Sequence, residues 1–124
     1  MKKRLFISQP MADRPNEKIE KERNEIVAEV IEKFPQYDIE VIDSFFKDAP
    51  VEANGLWYLG KSIQLLSTAD IAYFADGWGK ARGCRIENRC AIDYGIEIVI
   101  ENYTGSKMTK EIVKKENVEE VDNG

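Results

Sequence analysis

A three-layer α/β sandwich, with helices on both faces of a parallel sheet of four or five strands, is the fold class that this 124-residue chain predicts. Three observations lead there. Short apolar runs of strand length alternate with longer stretches of helical periodicity. The run IAYFA at 71–75 is apolar throughout, as a strand covered on both faces requires. A content of 43% apolar residues, with 10% aromatics, supplies a core for one domain of this length.

The elements follow in order. RLFIS (4–8) reads as a buried first strand, and Pro10 and Pro15 mark the turn after it. Residues 16–33 carry Ile19, Ile26, Val27, Val30 and Ile31 at helical spacing among Glu and Lys, with Pro35 just beyond. YDIEVIDSFF (37–46) supplies a second strand, and 47–55 a polar loop. Leu56, Leu59, Ile63 and Leu66 mark a second helix, residues 70–75 a third strand, and DGWGKARG (76–83) a glycine-rich loop. GCRIENRCAIDYG (83–95) is the third helix and IEIVIEN (96–102) the fourth strand. After Tyr103 the pattern fades into a short helix around 107–116 and a frayed acidic end. The domain is therefore expected over 1–103, with 104–124 as a C-terminal extension.

Charge and composition narrow the function. A net charge of -5 argues against a nucleic-acid polymer as partner. No apolar run approaches the ~20 residues of a membrane span and no signal peptide is visible, so a cytoplasmic protein without membrane attachment is expected. The chain contains no histidine, which removes Ser-His-Asp and Cys-His mechanisms. Cys84 and Cys90 are six apart on one expected helix, and with no CxxC pair no metal site is expected. Chemistry must then come from carboxylate, tyrosine, lysine or cysteine. One decoy has to be set aside: GLWYLGKS (55–62) fits the phosphate-loop pattern GxxxxGK[ST]. No strand precedes it, and its bulky positions continue the stripe of Ile63 and Leu66, so it reads as an amphipathic helix with Trp57 and Leu59 packed on the sheet.

In open α/β sheets ligands sit beyond the carboxyl ends of the strands. The relevant loops are 8–15, 43–55, 75–83 and 101–106. On a helical wheel Gly83, Ile86, Cys90, Ala91 and Tyr94 share one stripe of the third helix, and Glu87 falls in its middle. A carboxylate on a face that should be buried, near the mouth of the crevice, is either a first-turn acid paired with Arg85 or Arg89 or a functional group.

These residues carry a resemblance. ENRCAIDYG, with Ala91 four and Gly95 eight residues after Glu87, resembles the nucleoside 2-deoxyribosyltransferase pattern. FISQPM is similar to the first-strand loop of that superfamily, and ADIAYFADGW to its third strand and loop. VIDSFF, LWYLGKS and GWGKARGCRIE look closer still to a small branch found in bacteria and phages. The resemblance covers about residues 3–101, and it implies a Rossmann-like or flavodoxin-like domain without metal or organic cofactor, assembled as a homo-oligomer. It also implies that Glu87 is a nucleophile attacking the anomeric carbon of a deoxynucleoside or its 5′-phosphate, through a covalent deoxyribosyl-enzyme. In that family a carboxylate or serine often precedes the nucleophile by six residues, where this chain has Ala81. Another carboxylate stands on the helix before the third strand, where this chain has Lys61 and Ser62. Asp76 is the candidate substitute, and a non-catalytic nucleotide-binding module on the same fold is the alternative.

Further candidates line the same edge. Ser8, Gln9, Pro10 and Met11 are placed to hold sugar or phosphate, or to form a proline-directed turn. Asp43 and Ser44 end the second strand, as caps or ligand contacts. Trp78 suits stacking on a base, or packing. Gly83 leaves room for a ligand, and Arg85 with Arg82 suits a forked clamp on a phosphate.

Overall fold

Alternation along the first strand sets the two cores. In β1 (Lys2–Ser8) and β3 (Ile71–Phe74), Leu5, Ile7, Ile71 and Tyr73 point to one face, while Phe6, Ala72 and Phe74 point to the other. The first set packs on Ile26, Val30 and Phe34 in and just after α1 (Asn16–Lys33). The second packs on Leu66 of α2 (Gly55–Leu66) and Ala91 of α3 (Arg82–Asp93). β2 (Asp38–Val41) and β4 (Glu97–Thr104) flank the central pair, and β5 (Lys107–Val113) lies outermost. This structure, a computed structural model, describes residues 1–104 and 107–113, with side chains up to Glu101.

The strand order is β2-β1-β3-β4-β5, and β2, β1, β3 and β4 run parallel. The expected three-layer α/β fold with four parallel strands is therefore present, with α1 on one face and α2 and α3 on the other. The order reverses direction between β1 and β3, so the crevice of such a sheet opens beyond the ends of these two strands.

Three features differ from expectation. The second strand stops at Val41 rather than running through 46. Beyond it one more backbone bond, from Ile42 N–H to Leu5 O at 2.9 Å, is followed by side-chain bonds: Arg23 Nη2 donates to the Ile42 carbonyl at 3.3 Å, and Ser44 Oγ donates to the Ile7 carbonyl at 3.4 Å. Residues 107–113 form strand β5, antiparallel to β4, where a helix around 107–116 was expected. The register pairs Thr104 with Lys107 and sets Glu101 opposite Lys110. Pairing with an open strand edge outweighs the modest helical preference of KMTKEIV. β5 continues the same sheet past residue 103, and the expected acidic tail lies outside the described residues. Third, the buried stripe of α3 is Cys84, Glu87, Asn88 and Ala91, at i, i+3, i+4 and i+7. Ile86 and Tyr94, placed on that stripe by the wheel, are 38% and 83% exposed. Asn88, placed outside it, is buried, and its Nδ2 has no hydrogen-bond partner among the described residues.

The phosphate-loop lookalike is helical from Gly55, capped by Asn54 Oδ1 accepting from Trp57 N at 2.9 Å. Trp57 packs edge-on against Phe46 and Tyr58 rather than on the sheet. At the far end of α3, Gly95 at φ 71° closes the helix, its N–H on Ile92 O and that of Ile96 on Ala91 O. This Schellman-type ending needs the left-handed conformation that glycine adopts without strain. Among the described residues no helix is long and apolar enough to cross a membrane.

Candidate functional site

The carboxyl end of β1, the segment after β2 and the starts of all three helices surround an open crevice of about 1130 Å³. Glu87 lies in it and is only 8% exposed. Ser8, the last residue of β1, donates its hydroxyl to Glu87 Oε1 at 2.6 Å. Ser62 of α2 lines the crevice with it. Burial raises the Glu87 pKa above the ordinary glutamate value, and the hydroxyls of Ser8 and Ser62 act against that rise by favouring the ionised form. Glu87 is the sixth residue of α3, in its second turn, past the first turn where the helix dipole acts, so these hydroxyls rather than the helix terminus favour its charge. Cys84, one turn earlier, lines the crevice as a thiol whose pKa burial pushes to about 11.

The structure brings together some of the candidates and not others. Ser8, Gln9, Pro10, Met11 and Gly83 line the crevice with Glu87. The Gln9 amide is already engaged, however: Nε2 donates to Glu22 Oε1 at 2.8 Å and Oε1 accepts from Arg23 Nη1 at 2.9 Å. Its role is to tie the end of β1 to α1, together with Arg14, which reaches Pro10 O at 2.6 Å and Glu22 at 3.1 Å. Gly83 gives no special clearance, since a Cβ there would meet nothing within 4 Å.

Asp43, Asp76, Trp78 and Arg85 do not line the crevice. Asp43 is exposed beyond β2, where its charge partly offsets the pKa-lowering burial of Arg23. Asp76 is exposed beside Gly77, which adopts φ 85°. Trp78 begins the 3₁₀ turn and packs its ring on Phe74 at 5.7 Å, so flanking glycines aim it at the core instead of at a ligand. Arg85 points back over the turn and donates to Gly79 O at 3.3 Å, whereas Arg82, its expected partner, does line the crevice.

Several site residues escaped sequence reasoning. Ser62 lies three residues after Leu59 and four before Leu66, a hydroxyl on an apolar stripe, which is the signal that singled out Glu87. Phe45, Phe46 and Tyr58 form an aromatic wall on the β2–α2 side, with the Phe46 and Tyr58 rings 6.5 Å apart. Two consecutive phenylalanines at the edge of a polar loop were its trace in the sequence. Lys80 and Arg14 also line the crevice.

Comparison with protein-family models, with curated proteins and with solved structures finds no match, so the site is interpreted on its own chemistry. It offers a shielded carboxylate held by hydroxyl donors, an aromatic wall for a flat apolar group, and a mouth open to solvent.

Proposed function

We propose that this chain cleaves or transfers the N-glycosidic bond of a nucleoside or nucleotide, with Glu87 as nucleophile. The observation that carries the proposal is the buried Glu87 carboxyl, gripped by Ser8 at 2.6 Å, at the switch point of the sheet. A carboxylate oxygen of Glu87 attacks the anomeric carbon. The bond to the base nitrogen breaks, the electron pair leaves with the base, and that nitrogen takes up a proton from water at the open mouth of the crevice. Water or a second base then attacks the same carbon and frees the carboxylate, giving net retention. Phe45, Phe46 and Tyr58 suit the departing base, since stacking on an aromatic ring is worth about 1–3 kcal/mol in single-strand recognition. The exposed Leu56 and Ile86 suit a second copy of the chain at the mouth, in line with the expected homo-oligomer.

A second reading has an observation in its favour. Among the described residues lining the crevice Glu87 is the one acid, so no second carboxylate is present to protonate the leaving base. That favours a nucleotide-binding module without turnover. Incubation with a panel of 2′-deoxynucleosides and their monophosphates, with and without a free acceptor base, separates the two. Base release or exchange that disappears in Glu87→Ala, with a deoxyribosyl adduct on the wild-type chain by mass spectrometry, supports the enzyme. Tight binding without base release from any panel member overturns it in favour of the module.

A further inference from the structure

The charge of the crevice is opposite to that of the chain. The sequence holds 23 acidic and 18 basic residues, yet the described crevice lining holds Arg14, Lys80 and Arg82 against Glu87 alone. Arg14 is already paired with Glu22 at 3.1 Å. Lys80 and Arg82 have exposed side chains and no ion pair with another described residue, although carboxylates outnumber cations over the chain as a whole. Both sit on the segment entering α3. The Arg82 guanidinium extends across the mouth to the start of α2: its Nη2 lies 3.9 Å from where a Cβ on Gly55 would stand. There the first turn of α3 is left without a side-chain cap, because Ala81 occupies the capping position. Unmatched donors and two unmatched cations thus border one end of the space, while Phe45, Phe46 and Tyr58 provide its apolar side. Glu87 and Ser8 occupy the floor.

A neutral nucleoside would use the aromatic wall and the floor but leave Lys80 and Arg82 unmatched. We propose that the crevice is built for a phosphorylated substrate, a nucleoside 5′-monophosphate, whose phosphate is held by Arg82 and Lys80 at the uncapped start of α3. The proposal rests on the glycosidic reading of Glu87 for its reaction but not for its binding. Arg82 carries the larger share, because a guanidinium presents paired donors to phosphate oxygens whereas the Lys80 ammonium acts as a point charge. Specificity then comes from both ends: the aromatic wall takes the base, and the cations reject its unphosphorylated analogue.

Binding and turnover are measured separately. In Glu87→Gln, which cannot form the glycosyl ester, calorimetric titration with 2′-deoxynucleosides and with the matching 5′-monophosphates should give at least tenfold tighter binding of the monophosphate. That preference should weaken as salt rises. Arg82→Ala in the same background should reduce it to below threefold, Arg82→Lys should retain part of it, and Lys80→Ala should have an intermediate effect. Equal binding of the two ligand classes, within twofold, overturns the phosphate subsite, as does a preference that survives Arg82→Ala undiminished. Wild-type base release distinguishes the two proposals. Release from nucleosides as efficient as from monophosphates sinks the subsite and leaves the glycosidic reading standing. Tight, Arg82-dependent monophosphate binding without any base release supports the subsite and sinks the glycosidic reading.

Discussion

At the scale of single residues, burial and hydroxyl donors pull the Glu87 carboxyl in opposite directions, and both have measurable consequences. Attack on a sugar needs the ionised form, so the acid limb of kcat/KM should lie above the ordinary glutamate value of ~4.3. Ser8→Ala removes a donor that favours the anion. The limb should move further up in pH, and kcat/KM at neutral pH should fall roughly 10- to 100-fold, matching about 1.5–3 kcal/mol for a hydrogen bond to a charged group. An unchanged pH profile would show that Ser8 does not position the carboxylate. Stability runs the other way. A carboxyl whose folded pKa is raised stabilises the fold fully only below its unfolded pKa, and that contribution is lost as pH rises through the folded pKa. Glu87→Gln should therefore abolish turnover yet stabilise the chain at pH 7–8, by about 0.5–2 kcal/mol as functional-site replacements do. The gain should shrink toward pH 4, read by thermal melts across pH. The sequence exposed this residue because a carboxylate interrupted an apolar stripe. It could not identify Ser8 as its partner, since the two are 79 positions apart and only the sheet brings them together.

At the scale of elements, most boundaries follow from punctuation that the chain carries locally. Asn54 opens α2 and Gly95 closes α3, and both are visible in the sequence as a cap residue before, and a glycine after, a periodic run. Misplaced features were decided by neighbours instead: the chain after Val41 is held by Arg23 and Ser44, and β5 forms because β4 offers it an edge. Likewise, the face of α3 that turns inward is set by packing on α2 and the sheet. It lies one step round the helix from the apolar stripe, which is why Ile86 was misassigned. Two glycines at opposite ends of α3, one inside it and one just past it, should respond with opposite signs. Gly95→Ala forces a Cβ into the left-handed region and should cost about 1–2 kcal/mol. Gly83→Ala, inside the first turn with open space around it, should gain ~0.5–1 kcal/mol from reduced chain entropy. Chemical denaturation of the two variants checks the pair, and equal effects would contradict the roles assigned to these helix ends.

At the scale of the whole molecule, the sheet separates stability from chemistry. Alternating side chains of β1 and β3 send one core toward α1 and another toward α2 and α3, while only the carboxyl-end loops and helix starts meet at the crevice. β4 and β5 contribute none of the described crevice-lining residues. β5 instead covers the backbone edge of β4 along seven register pairs, from Ile98–Val113 to Thr104–Lys107. A chain ending at Thr104 should therefore keep its parallel sheet and its affinity for a crevice ligand, within about threefold. It should also present the apolar β4 strand, with Ile98 and Val99 fully buried in the intact chain, along an unpaired edge. Such edges recruit other strands, so the truncated chain should form larger species at lower concentration than the full chain. Size-exclusion chromatography over a concentration series, with a ligand titration on the smallest species, reads both parts. Loss of ligand affinity in a folded, non-aggregated truncation would mean that β5 supports the site and does more than close the sheet.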